Sequence, residues 1–411
     1  MHKILVLEWA TLGEGTFHTL RLNSPPGGWF PALQDLDWTV TKYNFHHAAL
    51  FFSPHLKKVT MNASESWRDF DVPRDLLLAI SSIISALPTS ALQLLAMRVD
   101  CRGLPGTYFK ELFSSVVLRC GPSLTGLDIP DLLSHAAINH LTQLSHFHTL
   151  STGGPPPNFS PSSLPPVFPP LVQLTLQDHA ACGWLPLFER LEHGVLTTSG
   201  VTPLSRMKES LRFLDVQDPS GSTFDISLTS PIRMFCNLTS LTVDVWCGVP
   251  GNGQCAFGLN DDDVADLAIA LPQLECLILG HPCFRNTCAT TVVCLLSIST
   301  YCVKLRNLEI HFNTINIVGN LKTTSEDPRY EALRQLPKCT LSSLVVYCLP
   351  LVLHESDLGT VADGMIDIFP SLERCSGPPE NLGWKKLSER IAVHRGIMTA
   401  SEWIASDFSL V

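Results

Sequence analysis

Asp261-Asp262-Asp263-Val264-Ala265-Asp266-Leu267-Ala268-Ile269-Ala270-Leu271-Pro272-Gln273-Leu274-Glu275-Cys276-Leu277-Ile278-Leu279 decides the fold. Val264, Leu267, Ala268 and Leu271 recur at intervals of three and four, which lines one face of a helix. Three aspartates form an acidic cap ahead of them, where the positive end of a helix favours carboxylates. Pro272 stops that helix, because the residue before a proline is pushed away from helical backbone angles. From Leu274 the rhythm changes to leucine, two residues, leucine, one residue, leucine, and a period of two belongs to a strand. The stretch reads as helix, proline-marked turn, short strand.

Working outward, the strand pattern recurs as Leu33/Leu36/Trp38, Leu56/Val59/Met61, Leu92/Leu95/Met97, Leu124/Leu127/Ile129, Leu171/Leu174/Leu176, Leu211/Leu214/Val216, Leu238/Leu241/Val243, Leu305/Leu308/Ile310 and Leu341/Leu344/Val346. A leucine-rich chain supplies several such matches by chance, so the flanks carry the argument. Phe30-Pro31-Ala32-Leu33, Phe168-Pro169-Pro170-Leu171 and Phe369-Pro370-Ser371-Leu372 repeat the apolar residue and proline ahead of the leucine. Helical spacing precedes them: Leu76, Ile80, Ile83, Ile84 and Leu87 between Pro73 and Pro88; Val292, Leu295 and Leu296 before Leu305; Leu358, Val361, Met365, Ile368 and Phe369 before Leu372. Repeat-like strands are also read at Ile4 to Trp9 and at Phe17/Leu20/Leu22. The strand leucines are 23 residues apart from Leu33 to Leu56, 36 from Leu238 to Leu274 and 31 from Leu274 to Leu305. A leucine-rich repeat is about 20 to 29 residues, so several turns carry insertions. One strand and one helix cannot bury their apolar faces alone, and stacking supplies the shared core. The expected fold is therefore α/β, a leucine-rich-repeat solenoid of irregular repeats with a parallel sheet on its concave side and helices on the convex side.

Two segments interrupt the rhythm. Residues 153–170 hold eight prolines and read as an extended loop, and residues 194–208, rich in Ser, Thr and Gly, read as a second, mobile loop. The solenoid is assigned to residues 1–377 and a closing helical cap to 378–411, where Leu387, Ile391, Trp403 and Ile404 supply the apolar side.

Composition narrows the function. Of 411 residues 45% are apolar and 16% charged, below the ~25% of a typical domain, so the chain specifies a packed core. The net charge is -10, from 28 Lys+Arg against 38 Asp+Glu, with no basic run, which argues against nucleic acid and against a membrane surface as partners. A charged partner should be a basic protein. Fourteen cysteines without a CxxC pair read as mostly buried thiols in a reducing compartment. The first nine residues hold an apolar run of four, too short for a secretion signal. Leu76 to Leu87 contains three serines and falls well below the ~20 residues of a membrane span. A cytoplasmic or nuclear protein is expected.

The Phe-Pro-x-Leu-x-x-Leu-x-aliphatic strands, the helices ending in Leu-Pro or in Tyr301-Cys302-Val303-Lys304-Leu305, and the closing Ile368-Phe369-Pro370-Ser371-Leu372 together resemble the leucine-rich-repeat region of fungal F-box proteins of the basidiomycete type. The resemblance is one of rhythm and extends over nearly the whole chain. It implies a protein that selects substrates for a ubiquitin ligase. In that family an F-box of about forty to fifty residues binds the ligase adaptor, whereas here repeat-like strands begin at Ile4, and adaptor binding is not expected.

Catalytic patterns are thin. Gly251-Asn252-Gly253-Gln254-Cys255-Ala256 matches GxGxxA, follows the strand from Leu238, and has Glu275 22 residues beyond Gly253, as a nucleotide-binding enzyme would. Asp261, Asp262 and Asp263 would repel the phosphate, and the reading favoured is an inter-repeat loop. Cys276, His281, Cys283, Cys288 and Cys294 cluster locally without the paired spacing of a zinc knuckle, and His135, His140, His146 and His148 fit no ligand spacing. No catalytic residue, cofactor or metal is assigned, and the protein is read as not an enzyme.

The position between the second and third apolar residue of each strand should project from the concave sheet. Those residues are Asp37, Thr60, Ala96, Asp128, Thr175, Asp215, Thr242, Ile278, Glu309 and Val345, four carboxylates and no cation. Two positions earlier stand Asp35, Lys58, Gln173, Phe213 and Asn307. The candidate partner-binding residues are Asp35, Asp37, Asp128, Phe213, Asp215, Asn307 and Glu309, an acidic and partly aromatic surface suited to a basic segment.

Overall fold

Proline fixes its own φ and has no amide hydrogen, which suits the second position of a turn. The computed structural model of the chain places it there. In Phe30-Pro31-Ala32-Leu33 the Leu33 amide donates to the Phe30 carbonyl at 2.9 Å; Leu274 donates to Leu271 at 3.3 Å, Leu372 to Phe369 at 2.9 Å, and Leu56 to Ser53 across Pro54 at 3.1 Å. The leucine that closes each turn is also the first buried residue of the strand pattern, so one tetrapeptide ends the helix and sets the phase of the strand.

The structure describes residues 4–6, 14–23, 25, 29–40, 45–63, 73–98, 106–130, 133–153, 171–177, 203–218, 226–245, 257–280, 288–326, 328–346, 354–377 and 382–397. They fall into two compact units, Met1–Gln177 with Leu196–Met207, and Asp178–Val195 with Lys208–Val411.

In the first unit the strands are β1 (Ile4–Val6), β2 (Asp35–Val40), β3 (Lys58–Ala63), β4 (Leu94–Arg98), β5 (Gly126–Asp128), β6 (Thr149–Gly153) and β7 (Gln173–Gln177). Each pairs in parallel with the next in sequence order. Between them run α1 (Glu14–Leu22), a 3-10 helix (Phe45–Phe51), α2 (Pro73–Ala86), α3 (Gly106–Arg119) and α4 (His135–Thr142). Next in sequence comes α5 (Pro203–Ser210). The second unit repeats the plan with β8 (Phe213–Asp218), β9 (Ser240–Val245), β10 (Cys276–Leu279), β11 (Asn307–Ile310), β12 (Ser343–Val346) and β13 (Arg374–Ser376), again parallel and in order. Its helices are α6 (Ile226–Ile232), α7 (Asp261–Ala270), α8 (Cys294–Tyr301), α9 (Ile317–Glu326), α10 (Pro328–Arg334), α11 (Glu355–Ile368) and α12 (Leu382–His394). Strand, helix and turn repeating along a parallel ladder make the chain an α/β leucine-rich-repeat solenoid.

All three apolar residues in each of the ten strand patterns are buried, at 5% exposure or less. Consecutive strands are tied by a recurrent junction in which one carbonyl accepts two successive amides of the next repeat. Gln34 accepts from Lys57 (2.7 Å) and Lys58 (3.0 Å), and Lys57 in turn accepts from Gln93 and Leu94. Thr239 accepts from Glu275 (2.8 Å) and Cys276 (3.0 Å), and Glu275 from Arg306 and Asn307. The two strands that the sequence pattern misses carry substitutions in it. Ahead of and within β6 the triplet is Phe147/Leu150/Thr152, and for β13 it is Leu372/Cys375/Gly377.

Local readings are corrected in three places. Phe17/Leu20/Leu22 lies in helix α1: a spacing of three is also one helical turn, and Phe17 is buried edge-on to Trp38 and stacked on His47 while Leu22 is 73% exposed. Part of the loop expected at 194–208 is α5, which Pro203 opens at the first helical position, where its missing amide costs nothing, and whose Met207 is buried. The N-cap of α7 is Asn260: its side chain accepts from the Asp263 amide and the Asp263 carboxylate accepts from the Asn260 amide, both at 3.0 Å. Asp261 instead accepts from the Thr291 amide and hydroxyl, each at 2.7 Å. Residues 154–170, Trp403 and Ile404 lie outside the described residues, whereas α12 buries Trp384, Leu387 and Ile391 and packs on β13. No described helix is long and apolar enough to cross a membrane.

Candidate functional site

Because side chains alternate along a strand, residues between the buried ones point to the other face of each sheet. In the first unit the middle outward row, in register, is Asp37, Thr60, Ala96, Asp128, Ser151 and Thr175. Thr60, Ala96, Ser151 and Thr175 are buried. Longer neighbours reach sideways across them: Asn62 on β3 donates to Asp37 on β2 at 3.2 Å, Arg98 on β4 to Asp128 on β5 at 2.7 Å, and Gln177 on β7 to Ser151 on β6 at 3.1 Å. Leu94 leans over Gly126, where an added Cβ would meet its Cδ1 at 2.7 Å. This face is laced to itself.

That arrangement corrects the expectation of carboxylates without a cation. Arg98 stands one outward position beyond Ala96, outside the Leu-x-x-Leu-x-apolar window, and its guanidinium neutralises Asp128. Lys58 lies in register between Asp35 and Leu94, so Asp35 also has a cation on the neighbouring strand. Thr60, Ala96 and Thr175, expected to project freely, are covered because they are short.

The second unit is different. Its middle outward row is Asp215, Thr242, Ile278, Glu309 and Val345, all half-buried, and beside it runs Phe213, Ser240, Cys276, Asn307 and Ser343. Phe213 is 46% exposed. Asp215 Oδ2 accepts from Gln217 Nε2 on its own strand at 2.9 Å, and its Oδ1 is buried without a hydrogen-bond partner. Burial raises the Asp215 carboxyl above the usual carboxylate range; the Gln217 bond opposes the rise and the charge of Asp244 adds to it. Burial likewise pushes up the Cys276 thiol, with a bond to Ser240 opposing and Glu309 adding. Among the described outward strand residues of this unit Arg374 on β13 is the one lysine or arginine. The candidate residues are thus divided: Asp35, Asp37 and Asp128 belong to the first face, Phe213, Asp215, Asn307 and Glu309 to the second. Sequence reasoning missed Arg98 and Asp244 through the same omission, since both occupy the outward position after the last apolar residue.

The sequence's other clusters fall apart. Cys276 faces outward, Cys288 and Cys294 are buried, the Cys288 thiol donates to the His311 carbonyl at 3.8 Å, and His281 and Cys283 lie outside the described residues. His140 Nε2 is 3.0 Å from the Cys120 carbonyl and His148 Nδ1 is 3.0 Å from the Thr149 hydroxyl. His146 is exposed, and His135 begins α4. Among the described residues no three His, Cys, Asp or Glu side chains converge as metal ligands would. Gly251 to Ala256 lies outside the described residues, and Glu275 is exposed, its carbonyl serving the junction with β11.

No family model matches this chain, and no curated protein matches it. Among solved structures it is similar to the leucine-rich repeat-containing protein LegL7 from Legionella pneumophila, at 11% identity and a TM-score of 0.33, over 95% of this chain and 98% of that one. The fold assignment rests on the parallel ladder and its buried leucines.

Proposed function

We propose that this protein is a non-catalytic protein-interaction scaffold whose docking surface is the outward face of β8 to β12. The contrast between the two faces carries the reading: the first is covered by its own lateral hydrogen bonds, while the second leaves Phe213 exposed two residues from Asp215, with further carboxylates at Asp244 on β9 and Glu309 on β11. A large exposed aromatic side chain next to a carboxylate with a buried, unpartnered oxygen suits an interaction surface, and carboxylates select a basic protein partner. The resemblance to F-box receptors supports substrate recognition for a ubiquitin ligase as the setting of that binding.

The test compares two double variants in affinity capture by the full chain. Phe213→Ala with Glu309→Gln should release the partners retained by the parent, whereas Asp37→Asn with Asp128→Asn should retain them. Loss with both variants, or with neither, would remove the assignment to this face. Stoichiometric capture of a ligase adaptor would extend the role to assembly of the ligase.

A further inference from the structure

In the second unit a cleft of about 260 Å³ lies between α9 and α11. Buried Leu296, Leu321 and Ile368 give it an apolar lining, and Thr360 and Asp363 stand exposed at its rim. Gly364 keeps the space open, since an added Cβ there would meet the two Leu321 methyl carbons at 3.0 and 3.1 Å. Small-molecule sites begin at roughly 300 Å³, so a space of this size and lining suits an apolar side chain better than a free ligand. We propose that the side chain of Trp403 enters this cleft, so that the residues following α12 close the helical layer of the second unit. The inference is independent of the docking face.

The end of α12 brings the chain to this cleft. His394, in the last turn, has its Nδ1 3.2 Å from the Asp363 carboxylate at the rim. Gly396 then ends the helix with φ +69°: its amide donates to the Val393 carbonyl and the Ile397 amide to the Ala392 carbonyl, each at 3.0 Å. In this glycine cap the residue after the glycine frequently rests on the helix it leaves, but Ile397 is 58% exposed. Ile397 stands three residues from His394, about 5 Å of helical rise, and the six residues from Ile397 to Trp403 reach up to about 20 Å when extended. The fourteen residues after Ile397 hold Trp403, Ile404, Phe408 and Leu410 and no lysine or arginine. Such a segment has apolar surface to bury, and its tether gives it an effective concentration at a cleft within reach that no free peptide matches. Among those side chains the indole fits both parts of the lining, with its ring over Leu296, Leu321 and Ile368 and its N–H towards the Thr360 hydroxyl.

The test uses the full chain with 13C-labelled isoleucine methyls, Ile368 being assigned through Ile368→Val and Ile83 of the first unit through Ile83→Val. Trp403→Ala should remove the ring-current shift of Ile368 and leave Ile83 in place. A peptide of residues 398–411, added to the Trp403→Ala chain, should restore the parent position of Ile368 saturably. The same peptide should leave the parent unchanged, because its cleft is filled, and should lose its effect when it carries Trp403→Ala itself. Gly364→Ala, introduced into the Trp403→Ala chain to drive Leu321 into the space, should weaken the peptide about tenfold. An Ile368 resonance that ignores Trp403→Ala, or a parent that takes up the peptide as the variant does, would overturn the proposal. Equal movement of Ile368 and Ile83 would overturn it too, since residue 403 would then support the fold at large and not fill this site.

Discussion

Along β2 to β7 the middle outward row sets the carboxylates Asp37 and Asp128 among the short, buried side chains Thr60, Ala96, Ser151 and Thr175, and Asn62, Arg98 and Gln177 bond across it to Asp37, Asp128 and Ser151. Along β8 to β12 the same row holds Asp215, Ile278, Glu309 and Val345, and the neighbouring row presents Phe213. The inward sides of these two runs of strands are alike, with leucine at most positions of the row in register. The fold therefore constrains one side of each strand, and the other side is where two stretches of one repeat can diverge in what they do.

The largest effects should fall on the shared inward side. Leu95→Ala in β4 and Leu277→Ala in β10, each 1% exposed, should both cost ~2 to 5 kcal/mol in denaturant unfolding. A mild effect at one and a severe effect at the other would break the equivalence of the two cores. Glycines sharpen the contrast next. Gly280 has φ +101° and an added Cβ would sit 2.7 Å from the His311 Cβ, so Gly280→Ala should cost ~1 to 3 kcal/mol. At Gly126 the obstacle is the free end of Leu94, which can swing aside, and Gly126→Ala should cost less than ~1 kcal/mol.

Smaller still is the ion pair that closes the first face. Arg98 is 63% exposed, so Arg98→Ala should cost no more than ~1 kcal/mol, shrinking with added salt, and a double-mutant cycle with Asp128→Asn should recover most of it as coupling. Asp215→Asn should act in the opposite sense. A carboxyl raised in the folded state stabilises when protonated; that contribution is complete below its ordinary value of 3.8 and is lost as pH rises through the elevated one. Removing the charge should thus stabilise the protein slightly at neutral pH, with the advantage closing as pH falls towards 3.8. A parent more stable than Asp215→Asn at neutral pH would show that its carboxylate is compensated, and the second face would lose its distinction from the first.

The fold was legible because burial demands leucine at fixed intervals and the turn ahead of it readily takes proline, although Leu238 and Leu305 close the same turn without one. Where packing was satisfied otherwise, by Phe147 and Thr152 at β6 or by Cys375 at β13, the pattern vanished while the strand remained. The reading of the cysteines as mostly buried thiols is also met among the described residues, where Cys120, Cys288, Cys294, Cys302, Cys339 and Cys375 are buried, Cys276 is half-buried and Cys236 is exposed. Cys302 shows why: its thiol, pushed up to about 12 by burial and further by Cys339, sits 3.8 Å from the carbonyls of both Ala268 and Leu271 at the end of the preceding helix. The outward faces were only half legible. Alternation gives which residues point outward, but whether a carboxylate is neutralised depends on the next strand, 30 residues away in the case of Arg98 and Asp128.

The carbonyl that accepts two amides from the following repeat has a consequence for how such a chain can change length. Leu238 to Leu274 takes 36 residues and Leu274 to Leu305 takes 31, yet each step advances the ladder by one strand, because the junction fixes only where the chain returns. Extra residues become slack in the return path. A gene encoding this protein can therefore gain or lose codons between a strand and the next turn while every later repeat keeps its register, so the outward rows of both units are insulated from such changes in length.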